Sequence, residues 1–396
     1  MFKKKSKDAN PNGSGTKTKG ESKPLFSSKK TTVARTKKAN RPLYKKKGNR
    51  FVAMDLGNYA IKFAVGNQQG NRIKVDKVFR ATLPEHLYVD STINDDRKLL
   101  DIIKSELSSN GVKDTDIIVS FESTSIIKRR LTVPALSDAE TKDLIGFELE
   151  EYLGINPDDY IIQYKILSEY DREGKKRDIQ IDAVPKAISK KLFSLLKQGG
   201  YNPCILGIQS NFIENMTNTL EINGNRPQSG NAIAVADIGN SGIVVNIFKD
   251  GKSEFNRIIR STSSLRYALM SELRMDESTA LSTVRSYFNK SLTAFAEPDS
   301  SDEKILSTMK SCINEWSTEI DRVLEYYRSR SVDNKISKLF IYGGEVMIPE
   351  MDRYIEGRIA VPTEIIRNIS NLDVSKDINI IDLPIYVNPI SALIRS

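Results

Sequence analysis

The stretch from Phe51 to Val65, F-V-A-M-D-L-G-N-Y-A-I-K-F-A-V, predicts two strands joined by a tight turn that carries a carboxylate at Asp55. Its apolar and β-branched residues are typical of buried strands. Ala234 to Phe248, A-V-A-D-I-G-N-S-G-I-V-V-N-I-F, repeats the same order of residue types around Asp237. Two copies of one hairpin predict a chain with two similar halves.

Both turns have the chemistry of a phosphate site. Gly57 and Gly239 are expected to turn the backbone with a positive φ, so that the amides after them point into one concavity and bind anionic oxygens. Asp55 and Asp237, facing one another, can hold a hydrated Mg²⁺ between themselves and the phosphates. One Asp-x-Gly after a strand is usually an ordinary hairpin turn, so the prediction depends on the pair.

A third segment, Lys338 to Tyr354, K-L-F-I-Y-G-G-E-V-M-I-P-E-M-D-R-Y, predicts a strand that ends at paired glycines. Such glycines let a flat base and its sugar approach the backbone closely. In order and spacing, the three segments resemble the phosphate-1, phosphate-2 and adenosine segments of the actin, Hsp70 and sugar-kinase ATPases. The chain from 51 to 396 resembles one branch in particular, the PilM family of type IV pilus assembly proteins, which are relatives of the division protein FtsA.

The resemblance implies an α/β fold class, the two-lobed actin-like (ribonuclease H-like) ATPase fold, with ATP as cofactor and Mg²⁺ held by Asp55 and Asp237 through water. The implied nucleotide contacts are Asp55, Gly57, Asn58, Tyr59 and Lys62 at phosphate 1, Asp237, Gly239, Asn240, Ser241 and Gly242 at phosphate 2, and Gly343, Gly344 and Glu345 in the adenosine loop. The sugar side departs from the family pattern, because Arg260 to Ser264 contains no Gly-Gly. Only Glu277 represents the family's Glu-x-x-Lys contact.

The 396 residues are enough for two substantial lobes after an unstructured start. The resemblance implies an inserted β, β, α, β, β unit, with its helix capped by Ser137 and Glu140. The expected divisions are a disordered basic tail at 1–49, the first part of subdomain 1A at 50–115, subdomain 1C at 116–184, the second part of 1A at 185–230, the second lobe at 231–380 with a 2B-like helical part at about 262–310, and a C-terminal helix at 381–396 that returns to 1A.

The net positive charge of the chain comes from its first 50 residues. They hold 17 lysines and arginines against Asp8 and Glu21, a net charge of +15, which leaves 43 basic and 49 acidic residues, net −6, in the remainder. The acidic body argues against specific nucleic-acid binding. The tail suits an anionic membrane surface, where each cation contributes about 1 kcal/mol, or else it is a solubilising tail that binds polyanions nonspecifically.

Composition excludes several classes of chemistry. Cys204 and Cys312 are the only cysteines and His86 the only histidine, which excludes His-dependent nucleophilic catalysis and predicts neither a disulfide framework nor a cysteine metal site. The start M-F-K-K-K-S-K-D has no apolar signal region, and no apolar run approaches the length of a membrane span.

The resemblance implies a cytoplasmic scaffold, peripheral on the inner face of the cell membrane, in the assembly platform of a type IV pilus or a related secretion system. Its expected partner is the cytoplasmic N-terminal tail of a PilN-type bitopic membrane protein, bound in a groove between 1A and 1C. Other platform proteins, the motor ATPase and further copies of the chain are additional expected partners.

Enzyme activity stays open, because hydrolysis requires a residue that orients the attacking water and the sequence identifies none. A slow ATPase or none is therefore expected. An FtsA-like division tether is the nearer alternative, although FtsA relatives end in an amphipathic membrane helix and this fold is expected to continue to Ser396. A sugar kinase or Hsp70-type enzyme is the more distant one.

Overall fold

The structure, a computed structural model, describes residues 33–35, 50–169, 176–226, 229–260, 264–290, 292 and 300–394. Most of the predicted tail and the last two residues of the chain therefore lie outside the described residues. The strands are β1 (Val33–Arg35), β2 (Phe51–Leu56), β3 (Ala60–Gln69), β4 (Arg72–Thr82), β5 (Tyr88–Val89), β6 (Thr92–Ile93), β7 (Asp116–Phe121), β8 (Ile127–Pro134), β9 (Tyr160–Glu169), β10 (Lys176–Pro185), β11 (Asn202–Ile208), β12 (Ala232–Gly239), β13 (Gly242–Lys249), β14 (Lys252–Arg260), β15 (Ile336–Tyr342), β16 (Thr363–Ile365) and β17 (Leu372–Val374).

The helices are α1 (Asp96–Ser109), α2 (Asp138–Leu153), α3 (Lys186–Gln198), α4 (Gln209–Thr219), α5 (Leu265–Leu273), α6 (Glu277–Ser286), α7 (Ser301–Ser329), α8 (Met351–Ile359) and α9 (Val387–Ala392). Short 3₁₀ helices cover Pro157–Asp159, Tyr287–Asn289 and Ile380–Tyr386. Among the described helices, none has the length and hydropathy needed to cross a bilayer.

The first lobe is built on a six-stranded sheet in the order β11-β7-β2-β3-β4-β17. β2 and β3 form the first predicted hairpin, which places Asp55 opposite Lys62. β7 runs parallel to β2 and β11, so the carboxyl ends of these three strands lie at one edge of the sheet. α1 and α3 cover one face through a core that includes Leu99, Ile103 and Leu196.

The second lobe is built on a five-stranded sheet in the order β14-β13-β12-β15-β16. β12 and β13 form the second predicted hairpin, and β15 runs parallel to β12. The apolar stripe of α7 is buried against this sheet around Trp316, in the core that also receives α5, α6 and α8. α5 ends where Arg274 adopts a left-handed conformation at φ 55°, and Asp276 caps α6 by accepting from the Thr279 N–H.

The two sheets share a middle layer made of α4 and α9. Met216 of α4 and Ile390 of α9 belong to one hydrophobic core together with Ala53 of the first sheet and Val235 and Phe340 of the second. Each sheet thus uses the same two helices to cover its inner face. The carboxyl ends of β2 and β12 reach the same cleft as a result.

The inserted unit consists of α2 and the sheet β1-β9-β10-β8. The predicted capping box is confirmed: the Ser137 hydroxyl accepts from the Glu140 N–H at 3.3 Å, and the Glu140 carboxylate accepts from the Ser137 N–H at 2.9 Å. The sequence pattern assigned β7 to this unit as well. β7 instead lies inside the sheet of the first lobe, where its apolar residues are covered on both faces.

One strand falls within the predicted tail, where no secondary structure was expected. β1 pairs in parallel with the outer edge of β9, with Val33 opposite Ile162 and Arg35 opposite Tyr164. It also lies against α2. Three residues with one β-branched side chain are too short a run for sequence periodicity to identify.

Candidate functional site

A cleft of about 500 Å³ lies between the lobes, within the range of small-molecule sites. Most of the predicted contacts line it: Asp55, Gly57, Asn58, Tyr59, Lys62, Asp237, Gly239, Asn240, Ser241, Gly242, Gly344 and Glu345. Gly343 and Glu277 do not line it. The three sequence segments, far apart along the chain, therefore converge on one cavity.

The two hairpin aspartates are buried and linked through one amide. The Nδ2 of Asn388, on α9, donates to Asp237 Oδ2 at 2.8 Å and to Asp55 Oδ2 at 3.3 Å. Gln209, the first residue of α4, donates from Nε2 to Asp237 Oδ2 at 2.6 Å. Lys62 Nζ lies 3.4 Å from Asp55 Oδ2. All of these contacts use the Oδ2 atoms.

The other oxygen of Asp237, Oδ1, is buried and has no hydrogen-bond partner. A buried carboxylate oxygen without a partner is costly, and a cation or its bound water would satisfy it. Two carboxylates within reach of one amide, one of them with a free oxygen, fit a hydrated Mg²⁺. Asp55 and Asp237 would hold the ion, which when bound would neutralise phosphate charge.

Burial and opposite charge shape the protonation of this group. Burial is the main cause that raises the pKa of Asp55, and the nearby Asp237 adds to it, while Lys62 opposes both. Burial alone would lower the pKa of Lys62, but the charges of Asp55 and Asp237 raise it above its ordinary value. The Lys62 ammonium therefore stays protonated and partly neutralises the two carboxylates.

A buried arginine of the second lobe lines the cleft. Arg266 of α5 has its guanidinium 5.2 Å from the ring centre of Tyr59 and 4.2 Å from that of Tyr267. Its Nη1 donates to Glu277 Oε1 at 2.5 Å, and its buried Nε has no partner. Glu277 thus holds Arg266 in place, and Arg266 rather than Glu277 faces the cleft.

Two further contacts join the lobes, and the first of them lies in the lining of the cleft. Arg260 Nη2, on β14, donates to Asp90 Oδ2 at 2.5 Å and to Thr124 Oγ1 at 2.6 Å. The Tyr267 hydroxyl donates to Glu85 Oε1 at 2.8 Å. The Arg260 side chain is 69% exposed and that of Asp90 is 26% exposed, so the ion pair contributes little stability.

The glycines of the two hairpins act differently from the prediction. The expected positive φ at Gly57 and Gly239 is wrong, since neither is among the residues with positive φ. A Cβ on Gly57 would lie 3.0 Å from the Ala60 carbonyl oxygen, so the close approach of the turn disfavours a larger residue there. Within the three segments, the positive φ values belong to Gly242 (154°), Gly343 (117°) and Glu350 (64°).

Four of the polar cleft residues that sequence reasoning missed are Glu122, Gln209, Arg266 and Asn388. Glu122 directly follows β7, and Gln209 directly follows β11. Ligands of open α/β sheets bind outside the carboxyl ends of the strands, so a correct strand order would have identified both. No sequence signal points to Asn388, because only the packing of α9 between the sheets brings it to the aspartates.

Glu122 supplies a pH-dependent contribution to stability. Its Oε2 accepts from the Ser210 N–H at 3.2 Å, and burial raises the pKa of its carboxyl to about 7, against the opposing charge of Lys128. Between the ordinary pKa and about 7 the folded protein binds this proton and the unfolded chain does not, so stability falls as pH rises through that window.

Replacing Glu122 by glutamine, which resembles the protonated acid, is expected to remove this loss. Relative to the unmodified protein, the free energy of unfolding of Glu122→Gln should rise by up to about 3 kcal/mol between pH 5 and pH 8. Urea unfolding at the two pH values measures this difference. Glu150→Gln, an exposed position on α2, is the control, and the same pH response in both variants would contradict the assignment.

Comparison with known proteins identifies the family. A family model described as type IV pilus assembly protein PilM matches residues 53–386. The chain is a member of the PilM family. Its fold is that of the actin-like ATPases, as the sequence predicted.

Solved structures agree with this assignment. A PilM structure, from a PilM-PilN type IV pilus biogenesis complex, is 15% identical, with 86% of this chain and 97% of that chain covered and a TM-score of 0.71. The ethanolamine utilization protein EutJ from Carboxydothermus hydrogenoformans is 10% identical, with 89% and 92% covered and a TM-score of 0.54. At these identities the likeness concerns the fold.

Proposed function

We propose that this PilM-family chain binds ATP with Mg²⁺ in the interlobe cleft. We further propose that it acts as a scaffold of the type IV pilus assembly platform at the cytoplasmic face of the membrane, where it binds the cytoplasmic tail of a PilN-type membrane protein. The observation that carries the nucleotide part is the pair of buried aspartates from the two hairpins, with Asp237 Oδ1 free to meet a cation. Calorimetric titration of the unmodified chain and of Asp237→Ala with Mg-ATP tests it.

The cleft favours binding over rapid hydrolysis. Gln209 is the amide best placed to orient a water molecule, but its Nε2 is already committed to Asp237. Glu122 lines the same cleft and, with a pKa of about 7, could accept a proton. A residue that positions water must be free to do so. We therefore propose turnover well below about 1 s⁻¹, the low end for dedicated enzymes.

The partner part of the proposal rests on the PilM-PilN complex that this chain resembles and on the surface of the inserted unit. The expected groove between this unit and the first lobe is a polar seam: Lys128 donates to Asn211 at 2.5 Å, and Lys165 donates to Glu214 at 2.6 Å. An extended peptide therefore fits better at the outer edge of β9, where backbone hydrogen bonds give affinity.

An exposed aromatic pair lies on the same unit. Phe147 and Tyr152 of α2 are more than half exposed, with ring centres 6.5 Å apart in an edge-to-face arrangement. Leu153 beside them is also exposed. Exposed aromatic clusters mark interaction surfaces, and this one can take the apolar side chains of a peptide whose backbone adds to β9.

The test is a fluorescence titration of the full-length chain with the cytoplasmic peptide of a PilN-type protein from the same cell. We expect saturable binding that weakens at least about tenfold in the double variant Phe147→Ser, Tyr152→Ser. Phe193→Ser, at an exposed aromatic residue on α3, is the matched control. Binding only to the tail of the tubulin-like division protein would support the FtsA-like alternative instead.

Membrane proximity belongs to the same proposal. The 17 basic residues among the first 50 supply a net charge of +15, and juxtamembrane polybasic segments bind anionic leaflets. The partner is itself a bitopic membrane protein, so the tail would act beside the surface that its charge suits. We also propose that the chain binds other platform proteins, the motor ATPase and further copies of itself.

A further inference from the structure

The outer edge of β9 already carries a strand of the same chain. β1, Val33–Arg35, pairs in parallel with Ile162, Gln163 and Tyr164 of β9. On its other side β9 pairs with β10 along most of its length. β1 therefore sits where an added strand from another molecule would pair.

We propose that Val33–Arg35 is a resident strand that competes with an extended partner peptide for the edge of β9, so that the N-terminal segment regulates partner capture. This inference rests on the proposed function, because it assumes that the peptide adds to this edge. β1 also lies against α2, the helix that carries the exposed aromatic pair. The resident strand thus contacts both elements of the proposed surface.

The length of the pairing makes the resident strand replaceable. Only three of the ten residues of β9 pair with it, so most of this edge is unpaired by any described strand. Each backbone hydrogen bond contributes only about 0.5–1.5 kcal/mol net. A peptide that pairs with more residues of β9 and also contacts Phe147 and Tyr152 would replace the three-residue pairing of β1 with a longer one.

Attachment to the same chain gives the short strand its advantage. Fourteen residues separate Arg35 from Arg50, and covalent attachment over so short a span gives an effective concentration on the order of millimolar. A weakly binding peptide therefore meets an occupied edge. Its apparent dissociation constant rises in proportion to the inverse of the unoccupied fraction.

The test compares the full-length chain with its Ala34→Pro variant. Proline has no backbone amide to donate, and its φ is fixed at about −65°, away from the extended backbone of a strand. We expect the PilN-type peptide to bind Ala34→Pro about tenfold more tightly than the unmodified chain. We also expect the backbone amides of Ile162 to Tyr164 to exchange hydrogen faster in this variant without peptide.

A charge variant separates pairing from electrostatics. The double variant Lys37→Ala, Lys38→Ala lowers the charge beside β1 without removing a backbone amide, so it should bind the peptide like the unmodified chain. An equal gain in this variant would overturn the strand mechanism in favour of charge. Size-exclusion chromatography that shows a dimer lost in Ala34→Pro would overturn the intramolecular form, because a second copy would then supply the strand.

The two proposals fail in distinguishable ways. Equal peptide affinity of Ala34→Pro and the unmodified chain overturns the resident strand and leaves peptide capture standing. Absence of binding to either variant overturns peptide capture and, with it, the competition proposed here. Tighter binding and faster exchange together support both.

Discussion

Replacing Asp237 by alanine is expected to lower the affinity of the full-length chain for Mg-ATP by about 100-fold or more. The change removes one of the two carboxylates that would hold the ion, and it leaves the Gln209 and Asn388 amides without their shared acceptor. Loss of a group that orients a metal costs about 10- to 100-fold even when it acts indirectly. Isothermal titration calorimetry with ATP in magnesium-containing buffer measures the effect.

Two companion variants make the Asp237 result interpretable. Asp237→Asn keeps an oxygen for both amides while removing the charge, so it should retain the fold and still lose most of the magnesium-dependent affinity. Asp373→Ala, at an exposed carboxylate on β17, should bind like the unmodified chain. Equal binding by Asp237→Ala and the unmodified chain, or no binding by either, would refute the site.

Replacement by alanine is expected to destabilise the fold strongly at Gly343 but hardly at the adjacent Gly344. Gly343 has φ 117°, and a Cβ there would lie 2.4 Å from the Ile238 carbonyl oxygen and 2.5 Å from Asp237 Oδ1. Gly343→Ala combines backbone strain with this overlap. It should therefore lower the free energy of unfolding by roughly 3 kcal/mol or more. We expect it to unfold at markedly lower denaturant concentration.

Gly344 is the matched control, because a Cβ there meets no atom within 4 Å and its φ is not positive. Gly344→Ala should leave the free energy of unfolding within about 0.5 kcal/mol of the unmodified value. Since Gly344 lines the cleft, the added methyl group should still weaken nucleotide binding. Denaturant unfolding and calorimetry on both variants test the pair, and a similar loss of stability in both would contradict the assignment.

The fold followed from patterns that repeat locally. The hairpins around Asp55 and Asp237 and the glycine pair at Gly343 each fall within a short window, and alternation and turn chemistry suffice to identify them. Their order along the chain was specific enough to indicate the family. The capping box of α2 and the apolar stripe of α7 are local signals of the same kind.

The features that the sequence did not reveal depend on which elements become neighbours. β7 looked like part of the inserted unit because it is adjacent in sequence, whereas the tertiary structure places it beside β2. Asn388 reaches the aspartates only because α9 packs between the sheets. Arg266 meets Tyr59 from the opposite lobe. In each case a partner far along the chain decides the role of the residue.

The middle layer has a consequence for how this protein is made on the ribosome. The inner face of the first sheet, which begins at Phe51, is covered in part by Val387 and Ile390 of α9, which lie 336 and 339 residues later in the chain. The first lobe therefore cannot complete its core until α9 has emerged, and its apolar face stays uncovered until then. Contacts of such long sequence separation fold slowly and leave intermediates prone to aggregation. Nascent chains of this family member are accordingly expected to need chaperone protection until α9 has been released.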